Sequence, residues 1–175
     1  MKATVLVPVE EYLRTSYRPD CDYVDGEVLE RNLGEREHSK LQREFIVYLH
    51  TRAKQWGIHV FPEQRVQVSA RRFRIPDICV YVGQEPQEPI FRHPPFICIE
   101  VLSKDDSLVS TQERIDDYLK FGVAYVWVVN PVNRRAWAYS ADGIREVKDG
   151  VLRTENPSIE VPLTEVFAGL DSSNS

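Results

Sequence analysis

The feature that most restricts the folds open to this chain is a pair of apolar runs, residues 96–102 and 123–130, separated by a segment of helical periodicity. Both runs are nearly free of polar residues, the pattern of strands buried on two faces. Between them Ile115, Tyr118 and Leu119 recur at helical spacing up to Gly122, and Ser110-Thr111-Gln112-Glu113 has the form of a capping box that opens a helix. Strands joined through a helix pair in parallel, because the crossover returns the chain to the same end of the sheet. The rest of the chain supplies their neighbours. Residues 10–14 predict a short helix, and residues 21–30 a hairpin whose Asp25-Gly26 turn provides positive φ angles. Over residues 35–56, Leu41, Phe45, Leu49, Ala53 and Trp56 mark one face of a long helix, which Gly57 ends. Residues 60–69 and 73–82 predict two strands joined by an arginine turn, and residues 134–139 a further strand. Trp127, Trp137 and Tyr139 fall at strand spacing and read as core. The expected fold class is α/β, a mixed β-sheet flanked by helices, in one domain over residues 1–170 with a polar tail at 171–175.

Several function classes are excluded by composition. No apolar run approaches the roughly 20 residues of a membrane span. Glu10 and Glu11 follow the first apolar residues too closely for a signal peptide. The expectation is a cytoplasmic protein with no membrane partner. Cys21, Cys79 and Cys98 form no CxxC pair and the four histidines are scattered, which argues against structural zinc. A net charge of −5 is opposite to what nucleic-acid phosphates favour. Local clusters, Arg71-Arg72 with Arg74 and Arg134-Arg135, soften that objection because binding responds to the local field.

Against this background two carboxylates stand out. Strand parity puts Asp77 on one face with Cys79 and Tyr81, and Glu100 on one face with Cys98 and Leu102. Both sit in otherwise apolar strands, where burying an unpaired ion costs several kcal/mol. A cation, a basic partner or a proton must neutralise them. If the strands are neighbours the pair converges and can share one Mg²⁺, a hard ion suited to oxygen ligands. Pro76 cannot donate to a sheet ladder, so it predicts a bend, bulge or edge that turns Asp77 out of the sheet. His38 lies on the inward face of the long helix with Leu41 and Phe45, and reads equally as a site residue or a satisfied core histidine. Glu63 reads as a third metal carboxylate or as a solvated charge beside Arg65.

Pro76-Asp77 followed by Glu100 in an apolar strand resembles the PD-(D/E)XK nuclease superfamily. Over most of its length the chain resembles the bacterial "putative restriction endonuclease" family. The residues that carry the likeness are Tyr23-Val24-Asp25-Gly26-Glu27, His38, Arg74-Ile75-Pro76-Asp77-Ile78, Ile99-Glu100-Val101-Leu102-Ser103 and Glu113-Arg114-Ile115-Asp116-Asp117-Tyr118, then the run from Gly122 to Pro131. The resemblance implies the restriction-endonuclease-like fold, Mg²⁺ (or Mn²⁺) dependence, a DNA substrate and a homodimer, with Asp77 and Glu100 as metal ligands. One position departs from it. The superfamily lysine two residues after the acidic residue is here Leu102. Arg114, on the following helix where relatives often carry lysine, is the first candidate to replace it, and Lys104 the second. A guanidinium clamps phosphate well but accepts no proton. Two other readings stay open: a nucleic-acid-binding or regulatory module on a nuclease fold that has lost catalysis, and an interaction protein whose acidic pair is neutralised by an internal arginine.

Overall fold

The computed structural model describes residues 5–32 and 34–171. In chain order the elements are α1 (Val9–Arg14), β1 (Cys21–Val24), β2 (Glu27–Glu30), α2 (Arg36–Thr51), α3 (Ala53–Trp56), β3 (Ile58–Pro62), β4 (Val66–Ser69), β5 (Arg72–Arg74) and β6 (Ile78–Val82). There follow β7 (Ile97–Val101), α4 (Leu108–Phe121), β8 (Tyr125–Asn130), β9 (Arg135–Ser140), β10 (Gly143–Glu146), β11 (Val151–Arg153), β12 (Glu160–Pro162) and α5 (Leu163–Asp171).

A six-stranded sheet in the order β10-β9-β8-β7-β6-β3 forms the centre. It is mixed as expected: β7 and β8 run parallel across the α4 crossover, and the other neighbours are antiparallel. One face packs Ile78, Val80, Ile97, Ile99 and Trp127 against Leu41, Phe45 and Leu49 of α2 and Val166 and Phe167 of α5. The other packs Cys79, Cys98, Val126 and Val128 against Ile115 and Tyr118 of α4. Alternate residues of each central strand thus enter different cores, which is why these runs lack polar positions. All three cysteines are free and buried. Among the described residues no helix is long and apolar enough to cross a membrane.

The structure differs from the sequence expectations in four places. The two long strands expected over 60–69 and 73–82 are each broken. Their outer halves, β4 and β5, join β1 and β2 in a separate four-stranded sheet. Pro62 and Pro76 explain the breaks, since neither can donate to a continuing ladder, and Glu63 at the first break takes a positive φ of 47°. The long helix is interrupted at Arg52, leaving α3 to run into Gly57, whose φ of 64° closes it. Helix α4 begins earlier than the capping box suggests. Ser107 is its cap, with Oγ accepting from the Ser110 N–H at 3.0 Å. Glu113 instead faces Arg72 and Arg74, at 3.4 and 3.7 Å. Finally, Leu163, Val166, Phe167 and Leu170 do follow helical spacing, and α5 forms on that pattern although the sequence reading assigned it no element.

Candidate active site

Strand register brings the two carboxylates together. The β6–β7 ladder pairs Ile78 with Ile99, so Asp77 and Glu100 are the next residues on the two neighbouring strands. Asp77 lies just outside β6, in the bend that Pro76 begins. Its main-chain oxygen accepts from the Glu63 N–H at 3.1 Å and from Gln42 Nε2 at 2.9 Å. The two chain breaks and α2 are therefore tied together at this one residue.

Both carboxylates are buried, Asp77 at 4% and Glu100 at 1% exposure, and every oxygen has a partner. Asp77 Oδ1 accepts from Arg31 Nη2 at 2.7 Å. Asp77 Oδ2 accepts from the Val101 N–H at 2.8 Å and lies 3.3 Å from His38 Nε2. Glu100 Oε1 accepts from the Tyr118 hydroxyl at 2.7 Å, and Oε2 is 3.3 Å from Arg114 Nη1. Arg114 also donates through Nη2 to Asp106 Oδ1 at 3.0 Å, while its buried Nε has no partner. Asp106 in turn shapes the loop after β7, accepting from the Ser103 N–H at 2.7 Å and from Asn32 Nδ2 at 3.1 Å.

These contacts split the two acids electrostatically. Burial opposes the Asp77 charge, but the His38 hydrogen bond, the charges of His38 and Arg31, and the Val101 N–H outweigh it and hold its carboxyl below the usual value. Burial likewise opposes a charged His38, yet the Asp77 contact prevails and raises the imidazole above its ordinary value. At Glu100 burial wins. Reinforced by the Asp77 charge, it pushes the carboxyl up to about 7 against Arg114, Tyr118 and Arg31. The surroundings thus favour the anionic form of Asp77 and the protonated form of Glu100.

The sequence-derived candidates separate clearly. Asp77, Glu100, His38 and Arg114 meet in one place. Lys104 does not join them; it is 66% exposed and pairs with Glu35. Glu63 is 58% exposed and reaches only Arg31, at 3.9 Å. Arg65, its expected neighbour, pairs with Asp20 instead. Four residues were not singled out from the sequence: Arg31, Gln42, Asp106 and Tyr118. Tyr118 carried a signal, since it lies on the inward face of its helix. Leu102 lines a large groove between α4 and β8–β9 and does not reach the carboxylates' polar contacts. Most of the clustered arginines are paired with acids, while Arg71 is exposed and donates to the Asp25 main-chain oxygen. Arg72 and Arg74 bind Asp25, Asp22 and Asp117, while Arg134 binds Asp171 and Arg135 binds Glu146.

Two openings adjoin Asp77, and Glu100 lines neither. An outer cleft of about 170 Å³ is lined by Asp20, Ser39, Gln42 and Glu63, with Arg31, His38 and Asp77 at its base. An inner polar cavity of about 20 Å³, bounded by Asp77, Ser103, Asp106 and Arg114, has room for one water or one ion. Among the described residues no three His, Cys, Asp or Glu side chains gather as a metal cluster. Mg²⁺ commonly takes only one or two protein carboxylates and completes its shell with water and phosphate. Asp77, Asp106 and Ser103 line this cavity with oxygen donors that suit such an ion, and Glu100 adjoins Asp77 across the strand pair without lining it.

A mixed sheet flanked by helices, with two adjacent acids at a strand bend, defines a protein of the restriction-endonuclease-like class. The chain belongs to the Uma2 family, described as "Putative restriction endonuclease", whose model matches residues 9–171. It is also similar to the crystal structure of a protein from Anabaena variabilis ATCC 29413 described as "a putative nuclease belonging to DUF820". The two share 23% identity with a TM-score of 0.81, over 93% of this chain and 99% of that one. At that identity the likeness shows the fold. No curated protein matches.

Proposed function

We propose that this chain is a divalent-metal-dependent endonuclease that hydrolyses phosphodiester bonds in DNA. The observation that carries the reading is the adjacency of Asp77 and Glu100 at the end of an otherwise apolar strand pair, next to an open cleft. The family membership supports it. Bound by these two carboxylates, Mg²⁺ or Mn²⁺ would polarise the scissile phosphate and lower the pKa of an attacking water.

The chain's own residues prepare the site for this. Tyr118 fixes one oxygen of Glu100, and the Val101 N–H, His38 and Gln42 fix Asp77 and its backbone. Arg114 takes the electrostatic part of the missing lysine: its permanent charge faces negative charge growing on phosphate. It cannot act as a base. Burial pushes the Glu100 carboxyl up to about 7, and the Asp77 contact raises the His38 imidazole, so these two groups are the candidates for proton transfer. The reading extends to a homodimer, which Leu108, Val109 and Val132 support as large apolar side chains left exposed; light scattering on purified protein checks it.

A second reading has a specific observation behind it. Each carboxylate already carries a guanidinium, as an interaction protein whose acidic pair is neutralised by an internal arginine would. The deciding experiment incubates plasmid and labelled oligonucleotides with the protein under Mg²⁺ and Mn²⁺. The nuclease reading predicts cleavage by the wild type and its loss in Asp77→Ala and Glu100→Ala. Cleavage unchanged in those variants would sink it. DNA binding without cleavage under every divalent metal would favour a nuclease-fold module that has lost catalysis, and neither binding nor cleavage would favour the interaction protein.

A further inference from the structure

We propose that Arg31 is an internal counter-cation, held on Asp77 in the metal-free protein and released toward Glu63 when a divalent cation binds. The inference rests on the metal-site reading above and adds a residue that competes with the ion.

Three observations lead to it. First, Asp77 and Glu100 are each neutralised by a guanidinium, so adding an ion of charge +2 to the intact arrangement would leave buried positive charge uncompensated. One arginine must yield. Second, the two differ in where they can go. The other partner of Arg114 is Asp106, itself only 11% exposed, so Arg114 is held between two buried acids on a long helix. The other partner of Arg31 is Glu63, 58% exposed and already 3.9 Å from Nη1. Arg31 has a solvent-side acceptor and Arg114 has an inner one. Third, Arg31 lines both the outer cleft and the inner cavity, standing where the two meet beside Asp77. Moving its guanidinium from Asp77 to Glu63 frees Oδ1 and joins the two openings.

Glu63 thereby acquires a role other than ligation. It favours metal binding by receiving Arg31, and its effect must vanish when Arg31 is absent. A thermodynamic cycle separates that role from direct coordination.

Calorimetric titration of the full chain with Mg²⁺ and Mn²⁺ tests the proposal, using wild type, Arg31→Met, Glu63→Gln and the double variant. Arg31→Met is expected to bind about tenfold tighter, the scale of one coupled charge pair. Glu63→Gln is expected to bind several-fold more weakly in the wild-type background and to have no effect in the Arg31→Met background. Equal or weaker binding by Arg31→Met overturns the proposal, as does a Glu63→Gln loss that persists in the double variant. Should Arg31→Met fail to fold, the Arg31 Nε–H resonance of the ¹⁵N-labelled wild type takes its place. It is expected to shift on metal saturation, and a signal unmoved at saturation overturns the proposal. If the wild type binds metal and Arg31→Met binds no tighter, only the counter-cation role falls. If no form binds either metal, the metal-site reading falls with it.

Discussion

Among the described residues two largely buried acid–arginine clusters are made of the same residue types and sit in different surroundings. In the first, Arg74 donates to Asp117 at 2.7 Å and Asp22 at 3.1 Å, Asp22 also accepts the Ile75 N–H at 3.1 Å, and Arg72 joins Asp117 to Asp25. This cluster ties the four-stranded sheet to α4, and its guanidiniums bridge acids from separate elements. In the second, around Asp77 and Glu100, each guanidinium also holds two acids, but the cluster borders a cleft and a cavity that Asp22, Arg74 and Asp117 do not line. In both clusters burial raises a carboxyl, Asp22 in the first and Glu100 in the second. Buried charge is therefore common to both clusters, and adjacent space is what sets the second apart.

The largest expected effect sharpens that contrast. Asp77→Asn and Glu100→Gln should each lower DNA cleavage by about 10²–10³-fold, the scale of removing one preorganised charged group. Asp117→Asn should leave cleavage per folded molecule near wild type. An equal loss in Asp117→Asn would erase the distinction between the clusters. Next in size is stability. Arg74→Met leaves Asp22 and Asp117 without their shared cation and should cost about 3–5 kcal/mol in urea unfolding. A loss below about 1 kcal/mol would show that solvent already reaches the scaffold cluster.

These two clusters were unequally legible in the sequence. Element types followed from periodicity, and strand parity together with Pro76 led to the Asp77–Glu100 pair, because a two-residue repeat fixes which side chains share a face. Arg31, by contrast, meets Asp77 across 46 residues and from a segment with no periodicity. Nothing local distinguishes it from Arg36 or Arg43. The breaks at Pro62 and Pro76 were visible as prolines, but which sheet each half joins depends on the β1–β5 pairing, a long-range contact. Ser107 rather than Ser110 caps α4 because Asp106 accepts the Ser103 N–H and fixes the preceding loop, a constraint that pattern matching omits.

The smallest effect is a pH dependence. The carboxyl of Glu100 rises from an ordinary 4.5 to about 7 on folding, so the folded state binds the extra proton. Its contribution to stability is fully present below pH 4.5 and is lost as pH rises through 7. Measured without metal, wild type should lose on the order of 3 kcal/mol relative to Glu100→Gln across that window, as an upper value. Parallel pH profiles for the two proteins would place the titrating group elsewhere.

Anomalous scattering from crystals soaked in Mn²⁺ tests the central claim most directly, because it reports which cluster accepts a cation. A peak is expected between Asp77 and Glu100, with Arg31 moved off Asp77, and none beside Asp22 and Asp117. Saturating Mn²⁺ with no peak at the pair, and both carboxylates still on Arg31 and Arg114, would contradict it.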